Sequence, residues 1–195
     1  MNGPAPEDRD MTEQFRDIHL TADEFFAWTM TRPGGRYELY YGKVVATSPE
    51  RVVHARTKLD VTIALRGAIA AAGLGCEAMI DGVSVRIDEN LVFEPDALVR
   101  CGPRTPDEAV EIDDPLIVVE VASHSTGGVD TGAKLAGYFR LPSMRHYLIL
   151  QPEARVLIHH RRDAEGGITT RILCDGRLTL DPPGLDLAVA DLFPS

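Results

Sequence analysis

The chain has 195 residues, a formal charge of −10, 44% hydrophobic residues and 26% charged residues. That balance suits one folded domain with a single substantial core. It excludes a broadly basic nucleic-acid coating protein, whose surface must release many counterions. No apolar run approaches the ~20 residues that cross a bilayer, and the N-terminus lacks the apolar centre of a signal peptide, so a soluble, cytoplasmic protein is expected.

Residues 1–17 are polar and aperiodic and read as a flexible tail, which leaves 18–195 as one domain. Thr21 with Glu24 three residues on forms a capping-box signature for a short helix carrying Phe25, Phe26 and Trp28, and Arg32-Pro33-Gly34-Gly35 ends it. Tyr37–Tyr40 and Lys43–Thr47 flank Tyr41-Gly42 as the arms of a β-hairpin. After Ser48-Pro49 a long helix is expected over about Arg51 to Ala72, with Val52, Leu59, Ile63, Leu65 and Ile69 as its apolar set and Gly73 and Gly75 closing it.

Strands then follow densely. Cys76–Ile80 and Val83–Ile87 are joined by Asp81-Gly82, a strong hairpin-turn signal, and Val92–Arg100 is interrupted by Pro95. Leu116–Val121 is continuously apolar until Glu120, as in a strand buried on both faces. Ser125 or Thr126 can cap a helix running to about Arg140. Strands at Arg145–Gln151, Arg155–His160 and Ile168–Leu173 and a short apolar segment, Leu187–Phe193, complete the chain. The fold class is α/β or α+β, with a central, mixed, mostly antiparallel sheet flanked by helices. Cys76, Cys101 and Cys174 are odd in number and lack metal-ligand spacing, so thiols are expected rather than a zinc site or disulfides.

Two strand-borne carboxylates and one helical lysine carry the chemical signal. Asp96 follows Pro95, which cannot donate a ladder hydrogen bond, so it belongs at a strand end or bulge facing a cleft. Glu120 ends an apolar run, where an ionised carboxylate costs several kcal/mol unless a cation, salt-bridge partner or metal compensates it. Asp130, Lys134 and Tyr138 share one helical stripe; the plain reading is a surface ion pair, the functional one a lysine reaching the carboxylates. Carboxylates that hold a hard divalent cation, with a nearby ammonium, are what phosphodiester hydrolysis requires.

Other constellations are weaker. His159 and His160 are adjacent and face opposite sides of a strand, Ser123-His124-Ser125 cannot form a triad, and Gly127-Gly128 lacks the Gly-Lys-Ser/Thr of a phosphate loop. Residues 131–162 hold six cations against the single acid Glu153, a basic segment that suits phosphate contacts or merely solvated element ends.

Taken together, Tyr-Glu-Leu-Tyr-Tyr-Gly at 37–42, Ser48-Pro49 with His54, Glu-Pro-Asp at 94–96, Val-Val-Glu-Val-Ala-Ser at 118–123, Ser125-Thr126, Asp130, Lys134, Tyr138 and Arg-His-Tyr-Leu-Ile at 145–149 resemble the Uma-type restriction endonuclease family of the PD-(D/E)XK nuclease superfamily. The resemblance spans roughly residues 20–190. It implies a restriction-endonuclease-like core in which Asp96 and Glu120 bind Mg²⁺ or Mn²⁺, with the Val121 carbonyl as a further ligand and Glu38 as an additional acidic group. It also implies a nucleic-acid substrate, DNA in the first place, and a homodimer. The lysine that the superfamily places two residues after the second carboxylate is Ala122 here, and the resemblance moves its role to Lys134, with His54, Tyr138 and Asp130 in support. The rival readings are a nuclease-fold binding module without turnover, and a structural protein in which Glu120 simply pairs with Lys134.

Overall fold

The computed structural model describes residues 18–32, 34–47, 49–122 and 130–193. The expected tail and the Ser125/Thr126 cap lie outside them. Helix α1 (Ala22–Met30) starts as its capping box dictates: the Thr21 hydroxyl accepts from the Glu24 N–H at 3.4 Å, and the Glu24 carboxylate accepts from the Thr21 N–H at 2.8 Å. Its Phe25 packs with Leu39, Val44 and Val92. Strands β1 (Tyr37–Tyr40) and β2 (Lys43–Ala46) form the predicted hairpin, with positive φ at both Tyr41 and Gly42 as a type I′ turn requires.

Helix α2 (Val52–Ala72) ends on Gly73 in the left-handed conformation. Its buried stripe is the predicted one only at Leu65 and Ile69. Val52, Leu59 and Ile63 are exposed, and the face against the sheet consists of His54, Thr57, Lys58, Val61, Thr62, Leu65 and Ile69. The first two turns of that face are polar because they cover the polar cluster described below.

The remaining strands are β3 (Cys76–Ile80), β4 (Ser84–Asp88), β5 (Leu91–Phe93), β6 (Ala97–Cys101), β7 (Glu111–Ile112), β8 (Ile117–Val121), β9 (His146–Gln151), β10 (Val156–Arg162), β11 (Ile168–Leu173), β12 (Arg177–Leu180) and β13 (Leu185–Ala188). Helix α3 (Asp130–Tyr138) precedes β9, and a 3₁₀ turn at Val189–Leu192 closes the described chain. The expected central sheet is six-stranded, in the order β11-β10-β9-β8-β6-β3, mixed because β8 and β9 run parallel. A second sheet, β2-β1-β5-β4-β7, accompanies it, as does the unpredicted pair β12-β13.

Two expectations are corrected. Asp81-Gly82 has the positive φ values of a hairpin turn, yet β3 pairs with β6 and β4 with β5, so the turn carries the chain from one sheet to the other. Cys76 and Cys101 are joined by a disulfide, because the β3–β6 register sets them directly opposite each other; Cys174 is free and exposed.

β8 is buried on both faces, as its apolar run predicts. Ile117, Val119 and Val121 join Val61, Leu65 and Ile69 of α2 in one core, while Val118 joins Phe93, Tyr138 and Tyr147 in another. The alternation puts Glu120 on the second face, under α3. Gly137 lets α3 sit close there: a Cβ at this position would stand 2.6 Å from the Phe93 ring. No described helix is long and apolar enough to cross a membrane.

Candidate active site

Four separate segments meet at one place. Glu38 comes from β1, Asp96 from the residue before β6, Glu120 from β8, and Lys134 and Tyr138 from successive turns of α3. Glu38, Asp96, Lys134 and Tyr138 are buried, and the Glu120 side chain is 15% exposed. Hydrogen bonds hold each carboxylate in a fixed orientation. Glu120 Oε1 accepts from Lys134 Nζ at 3.0 Å and from the Tyr138 hydroxyl at 2.8 Å. Glu38 Oε1 accepts from the same Lys134 Nζ at 2.9 Å and from the Glu94 N–H at 2.9 Å. Asp96 Oδ2 accepts from the Val121 N–H at 2.6 Å, which ties the end of β8 to the start of β6.

The helical stripe expected to reach the carboxylates does so at Lys134 and Tyr138, and the early hairpin contributes Glu38. Asp130 opens α3, but its side chain is outside the described residues. His54 lies on the buried face of α2 beside Glu50, whose carboxyl burial would raise but which Lys58, Arg36 and, least, His54 hold below its usual range; among the described residues the buried His54 Nε2 has no hydrogen-bond partner.

Sequence reasoning missed the second half of the site. Lys58 Nζ lies 2.6 Å from Asp96 Oδ1, 2.7 Å from Glu50 Oε2 and 3.4 Å from Asp81 Oδ1. Arg36 in turn binds Glu94 at 2.8 Å, Glu50 at 3.1 Å and Asp81. The available signal was positional: Lys58 lies four residues after His54 and four before Thr62, a polar i, i+4 row interleaved with the apolar one.

The electrostatics follow from this packing. Burial pushes the Glu120 carboxyl up to about 8; Lys134 opposes the rise, while the Asp96 and Glu38 charges add to it. The Tyr138 hydroxyl is pushed well above its usual range by burial and by the Glu120 and Glu38 carboxylates. Burial works against the Lys58 ammonium, but Asp96 and Glu50 outweigh it and hold its pKa above the ordinary lysine value. Among the described residues, six carboxylates, Glu38, Glu50, Asp81, Glu94, Asp96 and Glu120, thus share a network with three cations, Arg36, Lys58 and Lys134.

Among the described residues, no three His, Cys, Asp or Glu side chains form a ready-made metal cage. Asp96 and Glu120 nevertheless lie near enough for the Asp96 charge to raise the Glu120 carboxyl, and the Val121 N–H beside Glu120 bonds Asp96. Other expected polar features are structural. His159 is buried against His146 at 2.9 Å while His160 bonds Thr170 across the strand, consistent with opposite faces. The basic segment is largely engaged within the protein: Arg162 donates to the Phe139, Leu141 and Met144 carbonyls, Arg161 to Asp181, and Arg140 pairs with Asp88.

Comparison with known proteins agrees with this architecture. A solved structure from Anabaena variabilis, described as "a putative nuclease belonging to DUF820", superposes with a TM-score of 0.67 over 89% of this chain and 97% of its own, at 15% identity, and so shares the fold. An uncharacterized protein of Synechocystis sp. is 26% identical over 176 residues, 89% of this chain and 91% of the relative. The Uma2 family model, described as "Putative restriction endonuclease", matches residues 22–190, which take in Glu38, Asp96, Glu120 and both site lysines, and the chain belongs to that family.

Proposed function

We propose that the protein is a Mg²⁺- or Mn²⁺-dependent endonuclease that hydrolyses DNA phosphodiester bonds as a homodimer, whose two-fold symmetry suits the two strands of a duplex. The observation that carries this reading is Glu120: a buried carboxyl pushed up to about 8 by burial and held among two further carboxylates and a lysine. A carboxylate kept in so unfavourable a place is explained by a cation that belongs there.

The donor set fits such an ion. Mg²⁺ binds through one or two carboxylates, keeps several waters, and needs no dedicated cage. Asp96 and Glu120, with the Val121 carbonyl, would hold it, and Glu38 would add negative charge from β1. The ion, when bound, would polarise the scissile phosphate and lower the pKa of an attacking water.

The protein's own groups supply the rest. Tyr138 fixes the rotamer of Glu120 through its hydroxyl, and the Val121 N–H fixes Asp96. Lys134 brings an ammonium between Glu38 and Glu120, where it offsets negative charge that builds on the phosphate as it is attacked.

A second reading, a nuclease-fold binding module without turnover, draws on the −10 charge and on the engagement of both site lysines with carboxylates. Plasmid cleavage separates the two. With Mg²⁺ or Mn²⁺ the wild type should nick or linearise DNA, and Asp96→Asn and Glu120→Gln should abolish this while each still melts cooperatively as a folded protein. Full activity in either variant would refute the site, and a wild type that binds DNA without cutting it would support the module.

A further inference from the structure

We infer that Lys58 is a built-in counter-cation for Asp96 that competes with the divalent ion for that carboxylate; this rests on the metal-dependent reading above. Lys58 lies within the buried face of α2, its side chain only 6% exposed. Burying an ammonium in the contact face of a helix is expensive and adds no apolar packing, so its partners must account for it. The shortest of its three ion pairs is to Asp96 Oδ1, at 2.6 Å. The other Asp96 oxygen accepts from the Val121 N–H, so both Asp96 oxygens already have a donor and an ion at Asp96 has Lys58 as its charged competitor.

The remaining partners make the competition reversible. Glu50 and Asp81 give the ammonium two carboxylates besides Asp96, and both are themselves clamped by Arg36. An ion arriving at Asp96 can displace Lys58 onto these two carboxylates without leaving it buried and unpaired. Lys134 has a corresponding place on Glu120 and Glu38. Without metal, each of the two ligand carboxylates therefore carries a lysine, and Lys58 has a prepared retreat. Lys58 acts through Asp96 and is a positioning residue.

Isothermal titration with Mn²⁺ tests this on wild type, Lys58→Met, Lys58→Arg and Arg36→Met. Removing the competitor should tighten Mn²⁺ binding on the order of tenfold in Lys58→Met, since a cation in contact with a ligand oxygen opposes the ion far more than one further off. Arg36→Met, which removes a charge next to Glu50 and Asp81 but not on Asp96, should tighten it much less, and Lys58→Arg should stay near wild type. Weaker or unchanged binding in folded Lys58→Met would mean that Lys58 is only a strut between α2 and the sheet, and would overturn the inference. Should Lys58→Met not fold without metal, Glu50→Gln decides the matter: with the retreat weakened, Lys58 rests on Asp96 and Mn²⁺ binds less tightly, and equal or tighter binding overturns the inference. Mn²⁺ binding by the wild type with no gain in Lys58→Met sinks the role of Lys58 alone, whereas no Mn²⁺ binding by any folded form sinks the metal reading itself.

Discussion

Replacing Glu120 by Gln should stabilise the metal-free protein at alkaline pH while changing little near pH 4.5. In the fold the Glu120 carboxyl titrates at about 8 against an ordinary 4.5. Between those values the folded chain holds a proton that the unfolded chain has lost, so stability falls as pH rises across that window and levels off above it. At about 1.36 kcal/mol for each tenfold change in proton affinity, the ceiling on this loss is about 5 kcal/mol. Gln imitates the protonated form and can still accept from Tyr138, and the pull of Lys134 on the ionised carboxyl is already contained in the titration at about 8. The expected gain at pH 9 therefore approaches that ceiling of about 5 kcal/mol. Urea unfolding in EDTA at several pH values measures it as the difference in midpoint at constant slope. Parallel stability curves for the two proteins from pH 5 to 9 would show that Glu120 is ionised without penalty, and would remove the physical case for a cation site. Added Mg²⁺ should narrow the difference by stabilising the wild type and leaving the variant unmoved.

Three further outcomes are expected. Gly137→Ala forces a Cβ to within 2.6 Å of the Phe93 ring and 3.2 Å of Leu91, so α3 must shift; a loss of about 1–3 kcal/mol by urea melts and a drop in nuclease activity should follow together. The buried pair His146 and His159 has its pKa values pushed down to about 4 and about 3, chiefly by burial, so the unfolded chain takes up protons first and stability should fall as pH drops from about 6.5 toward 4; His159→Phe should flatten that slope between pH 7 and 4.5, and an unchanged slope would count against the buried neutral pair. Reducing the Cys76–Cys101 disulfide, which spans 25 residues, should cost about 3.5 kcal/mol by loop-closure entropy, measured against the Cys76→Ser/Cys101→Ser protein with and without reductant.

What the sequence made legible was local. The Thr21–Glu24 capping box, the Tyr41-Gly42 turn, the doubly buried strand before Glu120 and the Lys134/Tyr138 stripe each depend on residues within a few positions of one another, and each appears in the fold. What escaped depends on distant pairing. The Asp81-Gly82 turn has the right local geometry, yet which strand lies beside β3 is decided by β6, some twenty residues on, and that pairing also brings Cys76 to Cys101. The α2 register was misread for a related reason. Counting only apolar residues selects Val52, Leu59 and Ile63, whereas the helix turns its polar row inward because the surface it covers is charged.

That inward polar row bears on function more directly than any single contact. A structural ion-pair network gains most when its charges balance, because every uncompensated buried charge costs several kcal/mol. Here, among the described residues, six carboxylates meet three cations, and Glu120 can avoid part of the cost only by keeping its proton. Glu50, Asp81 and Arg36 are about a third exposed; among the described side chains at most 15% exposed, four carboxylates, Glu38, Glu94, Asp96 and Glu120, face two lysines where β1, β6 and β8 converge beneath α2 and α3, a surplus of the size that one divalent cation would offset. Burying Lys58 and Lys134 there does little for packing and is what a site proposed to remain folded without its ion would need. The polar composition of α2 and α3 is thus what the proposed metal-dependent chemistry predicts, and a rival structural account would have to explain the unbalanced charge.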